Sequence, residues 1–180
     1  MGKEQFEITG TIDKKEAVDQ VRKASRQFAL LYFYFSKVLV DNFGEEKAKE
    51  LIRRAVFELA LDRSDKLRKK AKAAGLAADS PEDFRKVTDI PFLGWVPEWG
   101  EDHCPYAETW REYFDDYPWF KTLAPFYCDV IDTTNIENFS KHLSHKITQN
   151  VMTPGATSCK REYFESQDVK EGKYTYGGQS

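Results

Sequence analysis

The chain has 180 residues, of which 41% are hydrophobic and 32% are charged, and its formal net charge is −3 at pH 7. These values predict a globular protein with a sizeable core, and the acidic balance argues against a dedicated nucleic-acid surface. No apolar run approaches the length of a membrane span, and the charged start from Met1 to Phe6 lacks the apolar stretch of a secretory signal. We therefore expect a cytoplasmic protein that binds neither nucleic acid nor membrane.

The first half of the chain has the hydrophobic spacing of helices. After an arm over residues 1–12, a helix capped by Thr11 or Asp13 is predicted to end at Asn42-Phe43-Gly44. A second helix is predicted over residues 45–73, with a kink or a new cap near residues 61–65.

Residues 30–35 of the first predicted helix are apolar almost all round. A helix surface of this kind is normally buried or shared with a partner subunit. We therefore expect a homodimer.

The second half combines short helices with strands. A helix is predicted from the cap Ser80 to Val87, followed by a strand and turn over residues 90–99. Helices are predicted over 105–113 and 122–132, with a helical turn over 134–139. Strands over 142–152 and 158–164, joined by a turn at Pro154-Gly155, are predicted to form a hairpin. Residues 13–165 are expected to form one domain, and residues 166–180 a flexible tail.

Three cysteines, Cys104, Cys128 and Cys159, lie in the second half, each near carboxylates. An odd number of cysteines cannot all pair within one chain, and a cytoplasmic protein does not need disulfides. Each cysteine is therefore a candidate nucleophile, metal ligand or small core residue.

The motifs around these cysteines resemble the L-2-amino-thiazoline-4-carboxylic acid hydrolase family over about residues 14–165. The resemblance rests most on Leu67-Arg68-Lys69-Lys70-Ala71, Cys104-Pro105-Tyr106-Ala107-Glu108, and Tyr127-Cys128-Asp129 with Asp132. It implies an α+β fold in which long N-terminal helices pack on a C-terminal antiparallel sheet, as in the vinyl-reductase-like ligand-binding fold.

The resemblance also implies an activity. It predicts a hydrolase acting on a carbon–nitrogen bond of a small cyclic amidine-like substrate, similar to the ring opening of L-2-amino-thiazoline-4-carboxylate to a carbamoyl-cysteine. Two alternatives remain open: a non-catalytic small-molecule or metal-binding protein, and a tailoring enzyme acting on an unrelated small molecule.

The catalytic candidates are Cys104, Cys128, Asp129 and Asp132. Cys104 precedes a predicted helix start, where backbone N–H groups and the helix dipole favour a thiolate nucleophile, although a packing role is equally open. Cys128 and Asp132 share a helix face, so the carboxylate could act as general acid or base beside the thiol. The alternative is a core role for Cys128 and a capping role for Asp132.

Six further residues are predicted to bind the substrate: Arg63, Arg68, Tyr106, Glu108, His145 and Cys159. An arginine grips a carboxylate with two donors, which suits Arg63 or Arg68, although Arg68 also belongs to a basic cluster typical of a solvated helix face. For Cys159 a structural role is the main alternative.

We predict no metal and no cofactor. His142 and His145, with the cysteines and Asp132, offer zinc as the alternative, but the chain has no Cys-x-x-Cys pair.

Overall fold

The computed structural model describes residues 10–95, 104–152 and 159–165. In chain order the elements are α1 (Lys14–Phe43), α2 (Glu45–Ala73), α3 (Pro81–Val87), a short 3₁₀ helix (Phe92–Trp95), α4 (Pro105–Arg111), α5 (Phe120–Phe139), β1 (Leu143–Gln149) and β2 (Lys160–Glu165). Most of the predicted arm, the turn at Pro154-Gly155 and the whole predicted tail lie outside the described residues. The prediction of one domain over residues 13–165 stays a prediction.

The predicted α+β class, with long helices packed on a C-terminal antiparallel sheet, is wrong. The described residues are mostly helical, and β1 and β2 form a single antiparallel pair from Leu143 opposite Glu165 to Gln149 opposite Lys160. In the described part of the chain the helices bury their apolar faces mainly against one another, and the only sheet there is this two-stranded pair rather than the broad sheet that the resemblance implied. Strand-like alternation is confined to the hairpin segments, where β1 buries Leu143 and His145.

The strand predicted over residues 90–99 is also wrong where it can be seen. Residues 92–95 form the 3₁₀ helix, in which the Gly94 N–H donates to the Pro91 carbonyl at 3.2 Å. Residues 96–99 lie outside the described part of the chain.

The helix ends follow local sequence signals. The Asp13 carboxylate accepts from the backbone N–H of Lys15 at 2.8 Å, and the Ser80 hydroxyl accepts from that of Asp83 at 3.1 Å. Gly44, between α1 and α2, has a φ of 76°, a conformation that glycine adopts without steric cost. These caps confirm the predicted starts of α1 and α3 and the predicted end of α1.

Two predicted interruptions are absent, because long-range packing overrides weak local signals. α2 is one continuous helix through residues 61–65, so the alternative of a new cap is wrong, and the buried Ser64 hydroxyl there donates to the Asn135 carbonyl of α5 at 2.9 Å. α5 likewise joins the two segments predicted at 122–132 and 134–139 into one helix, with Thr134 buried at the supposed break.

The core consists of two apolar clusters that meet along α5. The first lies among α1, α2, α4 and α5 around the fully buried Trp110, whose indole N–H donates to the Ala29 carbonyl at 2.8 Å. The second joins the ends of α2 and α5 to α3 and β1, with the Phe84 and Phe139 rings 5.3 Å apart. α5 therefore carries residues of both clusters.

The outer face of α1 exposes four large apolar side chains: Leu31, Tyr34, Phe35 and Val38. Within the apolar segment 30–35, Phe33 points inward and is 1% exposed. The homodimer stays a prediction. Among the described residues, none of the helices combines the length and apolar content needed to span a membrane.

Gly94 holds the 3₁₀ helix close to α1. It is buried, and a Cβ at this position would lie 2.8 Å from Val21 Cγ1. Arg22 Nη1 donates to the Gly94 carbonyl at 3.0 Å, which fixes the same contact. A side chain at position 94 would force the two elements apart.

We predict that Gly94→Ala lowers the free energy of unfolding by about 1–3 kcal/mol through overpacking. Val21→Ala removes the atom that the new methyl group meets, so the double variant should lose less than the sum of the two single losses. Guanidinium denaturation of the four proteins measures this coupling. Strictly additive losses would show that the contact does not limit packing.

Candidate active site

A cavity of about 280 Å³ opens beside α5, where the two core clusters meet. It is lined by all three cysteines together with Arg63, Asp132 and Asn135. Its walls are otherwise mainly apolar and aromatic, as at Trp95 and Ile131. A small, largely apolar cavity with a few polar groups is the usual form of a small-molecule site.

One face of α5 forms the floor of the cavity. Cys128, Ile131, Asp132, Asn135 and Ile136 line it, and their spacing of one helical turn places them on one side of the helix. Because α5 continues to Phe139, Asp132 lies in its interior, so the alternative that Asp132 caps a following turn is wrong. Its carboxylate belongs instead to the cavity wall.

Arg63 on α2 brings a fixed positive charge to the cavity. Its Nε donates to Asp89 Oδ2 at 3.1 Å and its Nη2 to Asp89 Oδ1, an arrangement that leaves Nη1 outside the pair. Burial opposes the charge on Arg63, but the hydrogen bond and charge of Asp89 outweigh it, and the pKa of Arg63 is raised. Asp132 contributes in the same direction, so its carboxylate lies within electrostatic reach of the guanidinium.

Cys104 stands at the start of α4, as predicted, where burial acts on its thiol. Burial raises the pKa of the Cys104 thiol above its ordinary value, and hydrogen bonds from the Ala107 backbone and the Trp95 side chain only partly offset this. Burial thus opposes the thiolate that the helix start was expected to favour, and the nucleophilic role of Cys104 stays a prediction.

Cys159 lies near Cys104 at the cavity wall. The Val151 backbone N–H donates to Cys159 Sγ at 3.3 Å. A charge on Cys159 would raise the pKa of Cys104 further, which shows that the two sulfurs are close enough to interact.

Two tyrosines complete the polar lining. The Tyr106 and Tyr127 rings lie 5.6 Å apart at 90°, and both side chains line the cavity. Burial raises the pKa of both hydroxyl groups, while a hydrogen bond from the Tyr127 side chain lowers that of Tyr106. Both hydroxyls are therefore neutral and able to donate hydrogen bonds.

Six of the ten predicted site residues line the cavity: Arg63, Cys104, Tyr106, Cys128, Asp132 and Cys159. Their positions agree with the predicted roles but do not test them. Cys128 is 7% exposed and also packs within the first core cluster, so its core role remains equally open.

The other four predicted residues are held outside the cavity lining. Arg68 donates to the Asn138 carbonyl at 3.1 Å, and Glu108 forms an ion pair with Arg22 on α1.

Asp129 and His145 also have partners away from the cavity. Asn150 Nδ2 donates to Asp129 Oδ1 at 3.4 Å. His145 on β1 is buried, with its Nδ1 3.3 Å from the Thr133 hydroxyl.

The described residues contain no group of three or more His, Cys, Asp or Glu side chains arranged to hold a metal ion. The zinc set considered from the sequence, with His142 and His145 beside the cysteines and Asp132, is thus not assembled in that part of the chain. His145 faces Thr133 across the hairpin base rather than the cavity.

Sequence reasoning missed two polar residues of the cavity lining, Asn135 and Tyr127, and also missed Asp89, the partner of Arg63. Asn135 follows Asp132 by three positions, so a single helix through Thr133-Thr134 would have placed it on the same face. Tyr127 belongs to the Tyr127-Cys128-Asp129 motif of the resemblance but was not predicted to have a role in the site. The pairing of Asp89 with Arg63 joins residues distant in sequence and had no local signal.

We predict that Cys104 reacts slowly with iodoacetamide at pH 7 and that its rate keeps rising beyond pH 9, the ordinary thiol pKa. The reason is that the thiolate is the reactive form and burial disfavours it. Mass spectrometry of the labelled peptides separates the three cysteines, and Cys104→Ser confirms the assignment. A labelling rate that already levels off near pH 7 would show that Cys104 is a thiolate at neutral pH, and it would contradict the effect of burial.

Comparison with known proteins places the chain in a family. The sequence model of the L-2-amino-thiazoline-4-carboxylic acid hydrolase family matches residues 24–163, a range that contains all of the cavity lining named above. No curated protein and no solved structure matches the chain. The match spans well over half of the sequence and confirms the resemblance found in its motifs. This protein belongs to the L-2-amino-thiazoline-4-carboxylic acid hydrolase family.

Proposed function

We propose that this protein hydrolyses a carbon–nitrogen bond in a small cyclic amidine-like substrate of the kind its family is named for. Family membership supports a hydrolase. The observation that carries the proposal is one cavity that combines a paired arginine with a carboxylate on the opposing helix. L-2-amino-thiazoline-4-carboxylate presents the complementary groups, a carboxylate and an amidine, at two ends of one small ring.

Arg63 is proposed to bind the substrate carboxylate. Asp89 occupies its Nε and Nη2, so Nη1 is the donor directed to the substrate while the pair keeps the guanidinium oriented. Arg68, the other arginine predicted from the sequence, donates to the Asn138 carbonyl and lies outside the lining.

Asp132 is proposed to move the protons. Its carboxylate takes a proton from a water molecule as the water oxygen bonds to the ring carbon held between sulfur and nitrogen. Asp132 passes this proton to the ring nitrogen, which takes up the electron pair of its double bond to carbon. The carbon–ring nitrogen bond then breaks as the new hydroxyl group becomes the carbonyl, and Asp132 transfers the hydroxyl proton to the departing nitrogen as well. The product gains one water and carries its carbamoyl group on sulfur, with a free amine.

The Cys104 thiol is proposed to assist rather than attack. Because burial raises its pKa, the thiol keeps its proton near neutral pH and is a poor nucleophile. It can still donate a hydrogen bond to the substrate. Water activated by Asp132 is therefore favoured over a covalent thioester-like intermediate.

We predict ring opening of L-2-amino-thiazoline-4-carboxylate to a carbamoyl-cysteine without release of a free thiol. Asp132→Asn should lower kcat by about 10²–10⁴-fold, the usual contribution of general acid–base catalysis. Cys104→Ser should keep most of the activity. Mass spectrometry identifies the product, and a thiol reagent reports which ring bond breaks.

Other outcomes of this assay identify the competing functions. Inactive Cys104→Ser beside active Asp132→Asn would show thiolate attack. Binding of the compound without any product would favour the non-catalytic small-molecule-binding protein. If the compound neither binds nor reacts, a tailoring enzyme with an unrelated substrate is favoured.

A second prediction separates the two arginines. Arg63→Met should raise KM by about 10–100-fold, the range for losing a hydrogen bond to a charged group, with a smaller change in kcat. Arg68→Met is the matched control and should leave KM unchanged. Steady-state kinetics of both variants measure the difference, and equal effects would remove Arg63 from carboxylate binding.

A further inference from the structure

Asn135 carries a buried hydrogen-bond acceptor that the fold itself does not use. The residue is 3% exposed, and its Oδ1 has no hydrogen-bond partner in the described structure. More than about nine in ten buried polar groups in proteins are partnered, since an orphan acceptor destabilises the folded state. An exception in a cavity wall points to a ligand as the missing partner.

The backbone of Asn135 is fixed independently of its side chain. The Asn135 carbonyl accepts from the buried Ser64 hydroxyl at 2.9 Å, in addition to its place in α5. The residue is thus held at the cavity floor by α2, and its amide group is not needed for that contact.

Asn135 and Asp132 lie one helical turn apart on the face of α5 that lines the cavity. Side chains in this relation have Cβ atoms about 5–6 Å apart, which is close enough to contact neighbouring groups of one small ring. With Asp132 engaged at the reacting carbon and the ring nitrogen, the exocyclic amino group of an amidine still needs an acceptor for its N–H bonds. In an apolar cavity that acceptor must come from the protein.

We infer that Asn135 Oδ1 accepts an N–H from the exocyclic amino group of the substrate and so selects rings that carry an amino group on the carbon to be attacked. This inference rests on the proposed function for the identity of the ring. It makes Asn135 a specificity-determining residue. The feature that Asn135 recognises is the amino group of the substrate, not the size of the ring.

The test compares two ligands on three proteins. The ligands are L-2-amino-thiazoline-4-carboxylate and its 2-methyl analogue, in which a methyl group replaces the amino group. The proteins are the wild type, Asn135→Leu, which replaces the amide with an apolar group of similar size, and Asn138→Leu. Asn138 is the matched control, because its Nδ2 donates to Asp65 Oδ1 at 3.1 Å and it lies outside the cavity lining.

The wild type should bind the amino compound in preference to the methyl compound, and Asn135→Leu should reduce that preference by about tenfold, as expected for one lost hydrogen bond. Asn138→Leu should leave the preference unchanged. Calorimetry gives the dissociation constants when all three proteins also carry Asp132→Asn, which prevents turnover of the amino compound during the measurement. An unchanged preference in Asn135→Leu, or no binding of the amino compound to the wild type, overturns the inference.

Stability provides a second readout. Asn135→Leu removes an orphan acceptor and should keep or raise the melting temperature, whereas Asn138→Leu breaks a formed hydrogen bond and should lower it. Asn135→Asp keeps an acceptor oxygen and should retain the preference for the amino ligand. A strongly destabilised Asn135→Leu together with loss of preference in Asn135→Asp would assign the residue a structural role.

The two proposals fail in different ways. If the preference depends on Asn135 but no product forms, the recognition of amino-substituted rings stands and the hydrolase proposal falls. If product forms while Asn135→Leu keeps the wild-type preference, the hydrolase proposal stands and the role of Asn135 falls.

Discussion

The packing of α5 against α2 is the constraint on which the site depends. The fully buried Ala60 and Ala71 on α2 carry side chains small enough for the two helices to approach closely. The Ser64 hydroxyl then joins α2 directly to the Asn135 carbonyl. This contact sets where the polar face of α5 lies relative to Arg63, and both core clusters reinforce it because both include residues of α5.

A balance between burial and charge determines the chemistry available inside the cavity. The apolar walls disfavour every isolated charge, so Cys104 remains a thiol and the tyrosines remain neutral. Arg63 remains charged because Asp89 is paired with it. The pKa of Asp89 follows from the same contact: burial would raise it, but the hydrogen bond and charge of Arg63 prevail and lower it. The cavity thus keeps a paired cation at one side, with a buried thiol and two tyrosine hydroxyl groups nearby.

Features encoded by neighbouring residues could be predicted from the sequence. The caps at Asp13 and Ser80, the turn at Gly44 and the helix start at Cys104 are local signals, and all four are confirmed. The sequence marked Cys104, Cys128 and Cys159 as site candidates but did not predict which of them lie close in space. The structure shows how they meet, because α5 carries one cysteine and the segments flanking α4 and β2 bring the others.

The fold class and part of the site could not be predicted, since both depend on contacts between distant segments. Continuity of α5 through Thr133-Thr134 is a consequence of burial against α2 and β1 rather than of helix propensity. Glu108 has a place in a recognised motif, yet its carboxylate is committed to an ion pair with Arg22. Motif membership alone therefore did not separate residues that build the site from residues that hold its frame.

The most direct test of this account is a crystal structure of Asp132→Asn bound to L-2-amino-thiazoline-4-carboxylate. The account predicts the ligand in the cavity beside α5, with its carboxylate on Arg63 and its amino group facing Asn135. A ligand bound in the reverse orientation, or outside this cavity, would contradict the proposed site.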